Sequence, residues 1–217
     1  MFIMPLLCAS AMMHRFLAAA LFAALAAPAL AQASAPIAQA PAAQEDLVPV
    51  ALETSLGRIV IALDRGHAPI TTANFLHYVD THRLDGETFY RAMHSQTSNL
   101  IQGGVRSDVR KLFPPIAHEP TSKTGLHNVA GTISMANAGA GTARADFFIL
   151  LSDVPAFDAG DPQGDATGFA AFGHVVEGMD VVQKIFDAPV SETKGEGAMK
   201  GQMLDPPIKI VKAERVK

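Results

Sequence analysis

The sequence predicts a mainly β fold, a closed antiparallel barrel with helical caps. Two observations predict it. Many short segments alternate apolar and polar residues or carry strand-forming residues, and only two stretches place apolar residues at helical spacing. A βαβ fold would alternate strands with helices one for one, whereas a run of strands with two helices fits a barrel. With 217 residues the chain is long enough for one domain with a substantial core and too short for two ordinary ones.

The elements follow in order. Val48–Thr54 alternates, Ser55-Leu56-Gly57 turns, and Arg58–Leu63 alternates again, which makes a hairpin. Pro69 opens a helix with Thr72, Phe75, Leu76 and Val79 on one face, and Gly86 closes that region. Strand character returns at Phe89 and recurs at Thr132–Ala136, Phe147–Leu151 and Ala171–Val176. Met179, Val182, Ile185 and Phe186 then mark a short helix, Lys194–Gln202 reads as a mobile surface loop, and Pro207–Val211 is a final strand. No internal repeat is visible.

The 17 basic and 21 acidic residues give a formal charge of -4, so there is no electrostatic case for nucleic acid or an anionic membrane as partner. Tryptophan is absent and aromatics make up 6%, which leaves the core to aliphatic residues and phenylalanine. The start of the chain has a different composition. Met13-His14-Arg15 precedes an apolar run from Phe16 to Ala27, and Ala29-Leu30-Ala31 has the small-x-small pattern of a cleavage site. Residues 1–31 read as a secretory signal peptide, with Met13 as an alternative start. The competing reading is a transmembrane helix, but that needs about 20 apolar residues and the run stops at Pro28. Residues 32–47 read as a disordered Ala/Pro/Gln linker and residues 48–217 as the folded domain. The only cysteine, Cys8, lies in the segment to be removed, which excludes disulfides, thiol nucleophiles and cysteine-ligated zinc from the processed chain. A periplasmic or secreted monomer is expected, without membrane attachment after cleavage.

Phe89-Tyr90-Arg91 poses a chemical question. The strand should carry an apolar or neutral residue at position 91, and a guanidinium is rarely buried without a partner or a task. A polar run follows, and then Leu100-Ile101-Gln102-Gly103-Gly104. Further on stand Gly131-Thr132-Ile133-Ser134-Met135-Ala136-Asn137, Ala145-Asp146-Phe147-Phe148-Ile149, and Phe172-Gly173-His174-Val175-Val176-Glu177-Gly178-Met179-Asp180. In this order the stretches resemble the cyclophilin family of peptidyl-prolyl cis-trans isomerases, from about Val48 to the C-terminus.

The resemblance implies an eight-stranded antiparallel barrel closed by two α-helices, with a substrate groove on its outer face. It implies that Arg91 is the catalytic arginine and Gln102 the glutamine that holds it and the substrate carbonyl. Ala136 and Asn137 would pair with the peptide backbone, and Leu100, Phe148 and Phe157 would form the proline pocket. Tyr90, Asp146 and Phe169 would complete the groove. Proline-containing peptides and unfolded exported proteins are the implied partners, and neither cofactor nor metal is implied. The chemistry needs neither. Amide resonance gives the X-Pro bond a barrier of roughly 18–20 kcal/mol, twisting localises a lone pair on the prolyl nitrogen, and a fixed donor to it binds the twisted state best.

The chain departs from the family at four places. Asp146 stands where a glutamine is usual, close enough to the expected groove to reach Arg91. Ala156 aligns with a rim aromatic, Asn99 with a pocket phenylalanine, and the Arg91–Gln102 interval is three residues longer through the polar loop His94–Ser98. These changes motivate a second reading, a peptide-binding module or holdase with weak isomerase activity. A metal-binding or structural domain, the third, has only the eight histidines behind it, and their spacing matches no compact ligand motif.

Overall fold

The computed structural model describes residues 46–216. The expected signal segment, residues 1–31, and residues 32–45 of the expected linker lie outside the described residues.

The described residues form nine strands and three α-helices in the order β1 Leu47–Thr54, β2 Gly57–Asp64, α1 Pro69–Asp80, β3 Thr88–Met93, β4 Leu100–Gly104, α2 Thr121–Thr124, β5 Thr132–Met135, β6 Phe147–Leu150, β7 Ala170–Glu177, α3 Met179–Phe186, β8 Val190–Ser191 and β9 Met203–Arg215. The sheet runs β1-β2-β7-β5-β6-β4-β3-β9, and β9 pairs back onto β1. Eight strands thereby close an antiparallel barrel, as expected, which leaves no long edge unpaired. The two-residue β8 is an addition that pairs with the start of β9.

Alternation along each strand decides what faces inward. Val50 and Leu52 of β1, Ile59, Ile61 and Leu63 of β2, Ile101 of β4, Ile133 and Met135 of β5, and Phe147 and Ile149 of β6 belong to one buried cluster. Helix α1 follows β2 at Asp64, whereas α3 follows β7 at Glu177, which lies in register with Val60 near the opposite end of β2. The two helices therefore cap opposite mouths of the barrel. Phe75 of α1 packs edge-on against Phe147, with ring centroids 5.2 Å apart. Val181, Val182 and Ile185 of α3 are buried in the same cluster.

Two expectations need correction. The one-turn helix α2 is a third helix, too short to leave a periodic pattern. The final strand begins at Met203 rather than Pro207. Prolines argue against a strand because they donate nothing to the ladder. Here Pro206 and Pro207 fall in an irregularity of the β3–β9 pairing, between the partners Arg91↔Met203 and Phe89↔Ile208.

Candidate active site

The site begins with a bulge. Phe89 pairs with Gly103 and Arg91 with Gln102, so Tyr90 is an extra residue in β3. A bulge turns two successive side chains away from the pleat's alternation. Phe89 and Ala92 enter the interior, while Tyr90 and Arg91 do not. Register then carries one line of outward residues across four strands: Arg91 of β3 faces Gln102 of β4, Gln102 faces Phe148 of β6, and Phe148 faces Ser134 of β5.

Arg91 is half-buried and held from three sides. Its Nη1 donates to Gln102 Oε1 at 2.9 Å, its Nε to Gln202 Oε1 at 2.8 Å, and its Nη2 contacts Met93 Sδ at 3.1 Å. All three partners are neutral, and desolvation pushes the guanidinium below the usual arginine pKa. An arginine so held keeps its charge and its direction, and no carboxylate among these partners neutralises it. Gln102 is buried, and because its oxygen serves Arg91, its NH2 group is left as a donor.

Beside this pair lies a second apolar cluster, separate from the interior. Leu100, Phe148, Leu150 and Val154 are buried in it, with Met93, Ala136, Phe157 and Phe169 packed around them. Phe148 meets Phe157 at 5.6 Å and Phe169 at 5.3 Å, and Phe157 meets Phe169 at 4.8 Å. Loops hold the last two rings in place. The Asn128 Nδ2 donates to Phe157 O at 3.0 Å and to Asp158 Oδ1 at 2.8 Å, and the Phe169 N–H donates to Phe157 O at 2.8 Å. A three-ring pocket adjoining a fixed arginine suits a pyrrolidine ring whose amide must face a donor in a partly dry site.

The structure brings together Arg91, Gln102, Leu100, Phe148, Phe157, Phe169 and Ala136. Ala136 is committed on one side, its N–H donating to Asp146 O at 2.9 Å, so a peptide strand would use its carbonyl and the Asn137 backbone. Asn137 Oδ1 accepts from Gly139 N at 2.9 Å, while its buried Nδ2 has no partner among the described residues.

Asp146 does not reach Arg91. Its Oδ2 accepts the Tyr90 hydroxyl at 3.0 Å instead, because the bulge turns Tyr90 toward it. The two groups perturb each other in a partly dry place. Burial raises the Asp146 pKa, and burial followed by the Asp146 charge raises that of Tyr90. Gly104 makes room for this pair: at φ +149° it lies so close that an added Cβ would sit 2.6 Å from Asp146 Cα. Asn99 is not part of the pocket either. Its Oδ1 accepts the Ser95 N–H at 3.1 Å and ties the polar 94–98 loop, so Met93 and Leu100 supply the apolar wall there. Ala156 lines a cleft of about 380 Å³ between Thr97-Ser98 and the Pro155–Phe157 turn.

Sequence reasoning missed Gln202 and Met93. Gln202 ends the stretch read as a mobile loop, but its carbonyl accepts the Ala92 N–H at 2.9 Å and its side chain holds Arg91. Only the β3–β9 register reveals it. The histidines are dispersed: His67 pairs with Asp64, His82 with Asp85 and His127 with Asp158, and no metal-sized cluster of three ligands occurs among the described residues.

Comparison with known proteins gives this geometry a family. Residues 49–215 match the cyclophilin type peptidyl-prolyl cis-trans isomerase family. The chain belongs to that family. It is 39% identical over 140 residues to peptidyl-prolyl cis-trans isomerase A of Dickeya dadantii, covering 63% of this chain and 70% of the relative. It is 35% identical over 150 residues to a peptidyl-prolyl cis-trans isomerase of Streptomyces antibioticus, covering 67% and 87%. In fold it is similar to a cyclophilin type isomerase of Cryptosporidium parvum, with TM-score 0.63 and 18% identity over 79% of this chain and 99% of that one. A second crystal structure of that protein was determined in the presence of the dipeptide Ala-Pro, and its TM-score is 0.62.

Proposed function

We propose that this chain catalyses cis/trans rotation about X-Pro peptide bonds and acts on exported proteins as they fold. The observation that carries the reading is Arg91, fixed by Gln102 and Gln202 beside an aromatic pocket on the outside of the barrel. A proline ring seated among Phe148, Phe157 and Phe169 would leave its amide facing the guanidinium. As the bond twists, the prolyl nitrogen regains a lone pair. A donor already aimed there favours the twisted state over either planar one, and each 1.36 kcal/mol of that preference is about tenfold in rate.

The apolar Phe16–Ala27 run and the Ala29-Leu30-Ala31 site support export to the periplasm or beyond, with release by cleavage. Among the described residues no helix is long and apolar enough to cross a membrane. The domain acts on extended proline-containing segments, which the outer aromatic pocket and Arg91 would hold. Line-shape or exchange NMR of an Ala-Ala-Pro-Phe peptide tests the reading: the chain speeds exchange and Arg91→Ala removes most of the acceleration. A folded parent that leaves exchange at its uncatalysed rate would refute the reading and leave a peptide-binding module, and a folded Arg91→Ala as fast as an active parent would take the chemistry away from Arg91.

A further inference from the structure

A second concavity opens beside the aromatic pocket. It holds about 330 Å³ and shares Gln102 and Ala136 with the proline site, so the two form one continuous groove. A proline in the aromatic pocket presents its isomerising bond to Arg91 and Gln102, and the residues that precede the proline continue over Ala136 and Asn137 into this concavity. Its polar lining is Tyr90, Arg106, Asn137, Thr142, Arg144 and Asp146.

The charges of that lining do not balance. Arg106 and Arg144 are exposed, and neither has a carboxylate partner among the described residues, although most other arginines do. Arg106 lies over the Tyr90 ring with its guanidinium carbon 4.4 Å from the centroid, which fixes it at the cleft wall. Asp146 is the one acid in the lining; its Oδ2 accepts the Tyr90 hydroxyl and its charge acts on Arg106, so two cations face one acid there. Glu196 borders the adjoining concavity that Arg106 also lines, without an ion pair to it. The buried Asn137 Nδ2 adds a donor with no acceptor. Two cations and an orphaned amide hydrogen all call for an acceptor, ideally an anionic one.

We propose that this cleft selects a carboxylate side chain, aspartate or glutamate, within two residues before the proline, and that Arg106 and Arg144 set the preference. The inference rests on the isomerase reading and adds a substrate class to it. Exposed charge pairs are modest individually, so two of them acting together, with repulsion of a lysine, give a preference of about three- to tenfold for glutamate over lysine. Added salt should shrink it.

The experiment is NMR exchange on the full chain with blocked Ala-Ala-Pro-Phe peptides. Each carries Glu, Ala or Lys at the first or second position before the proline. The expected result is a higher kcat/KM for Glu than for Lys in at least one frame, falling as salt rises, with the ratio approaching one in the double variant Arg106→Gln/Arg144→Gln. A ratio near one in both frames, or one that persists in the double variant or is indifferent to salt, overturns the inference while the isomerase reading stands. Failure to accelerate exchange of any peptide overturns the isomerase reading and the inference with it.

Discussion

Phe147 and Phe148 are neighbours of the same type on β6, both almost fully buried, yet they belong to different parts of the molecule. Phe147 packs edge-on against Phe75 and Phe89 inside a closed barrel. Phe148 is covered from outside by Phe157, at the end of the Pro155–Phe157 turn, and by Phe169 on a loop, both of them partly exposed. Equal burial therefore hides unequal replaceability. The inner ring is enclosed by the sheet, whereas the outer ring forms the floor of a pocket whose walls a ligand can meet.

Truncation separates the two most sharply. Phe147→Ala leaves a void in a closed interior and should lower unfolding free energy by about 3–5 kcal/mol in denaturant titration. Phe148→Ala should cost about 3 kcal/mol or less, because loop-borne neighbours can close on the gap. It should stay folded and lose about tenfold or more in kcat/KM for a prolyl peptide. Equal stability losses, or an unaltered rate in Phe148→Ala, would break the distinction between the faces.

The next contrast lies within the site. Gln202→Ala removes the acceptor for Arg91 Nε without touching the apolar pocket. A hydrogen bond to a charged group is worth about 1.5–3 kcal/mol, so kcat/KM should fall about ten- to a hundredfold. The melting temperature should hardly move, and the loss should fall on kcat more than on KM, as expected of a positioning residue. A pure KM effect would instead place Gln202 against the substrate.

The smallest expected effect concerns Asp146. Burial raises its pKa in the folded state, so between the unfolded value, about 3.9, and the raised folded one the native state binds more protons than the unfolded state. Stability contributed by the neutral acid is thus present at low pH and lost as pH rises through that window. Asp146→Asn keeps an acceptor for Tyr90 and should gain stability relative to the parent as pH rises from about 3.5 to 7. A relative gain on acidification would reverse the assigned sign.

How much of this was legible in the sequence divides along the same inner and outer faces. Alternation marked the interior strands, and Thr72, Phe75, Leu76 and Val79 marked the face of α1, because burial imposes a period that survives any detail of packing. Arg91 was visible only as a charged residue out of place in a strand, and the family resemblance gave it and Gln102 their roles. The Asp146–Tyr90 bond and Gln202 were invisible. Both depend on the bulge at Tyr90 and on the register of β9, which long-range pairing sets and no local pattern encodes.

On the proposed reading, a rigidly aimed guanidinium on the outside of the barrel, rather than positive charge alone, drives exchange. Arg91→Lys tests it most directly. Lysine keeps the charge but cannot hold Gln102 and Gln202 at once as a planar fork does. With NMR exchange on an Ala-Ala-Pro-Phe peptide and thermal unfolding as a control, the expected result is an unchanged fold and a fall of about tenfold or more in catalysed exchange. A folded Arg91→Lys within about twofold of the parent rate would contradict the account and reduce Arg91 to a source of charge.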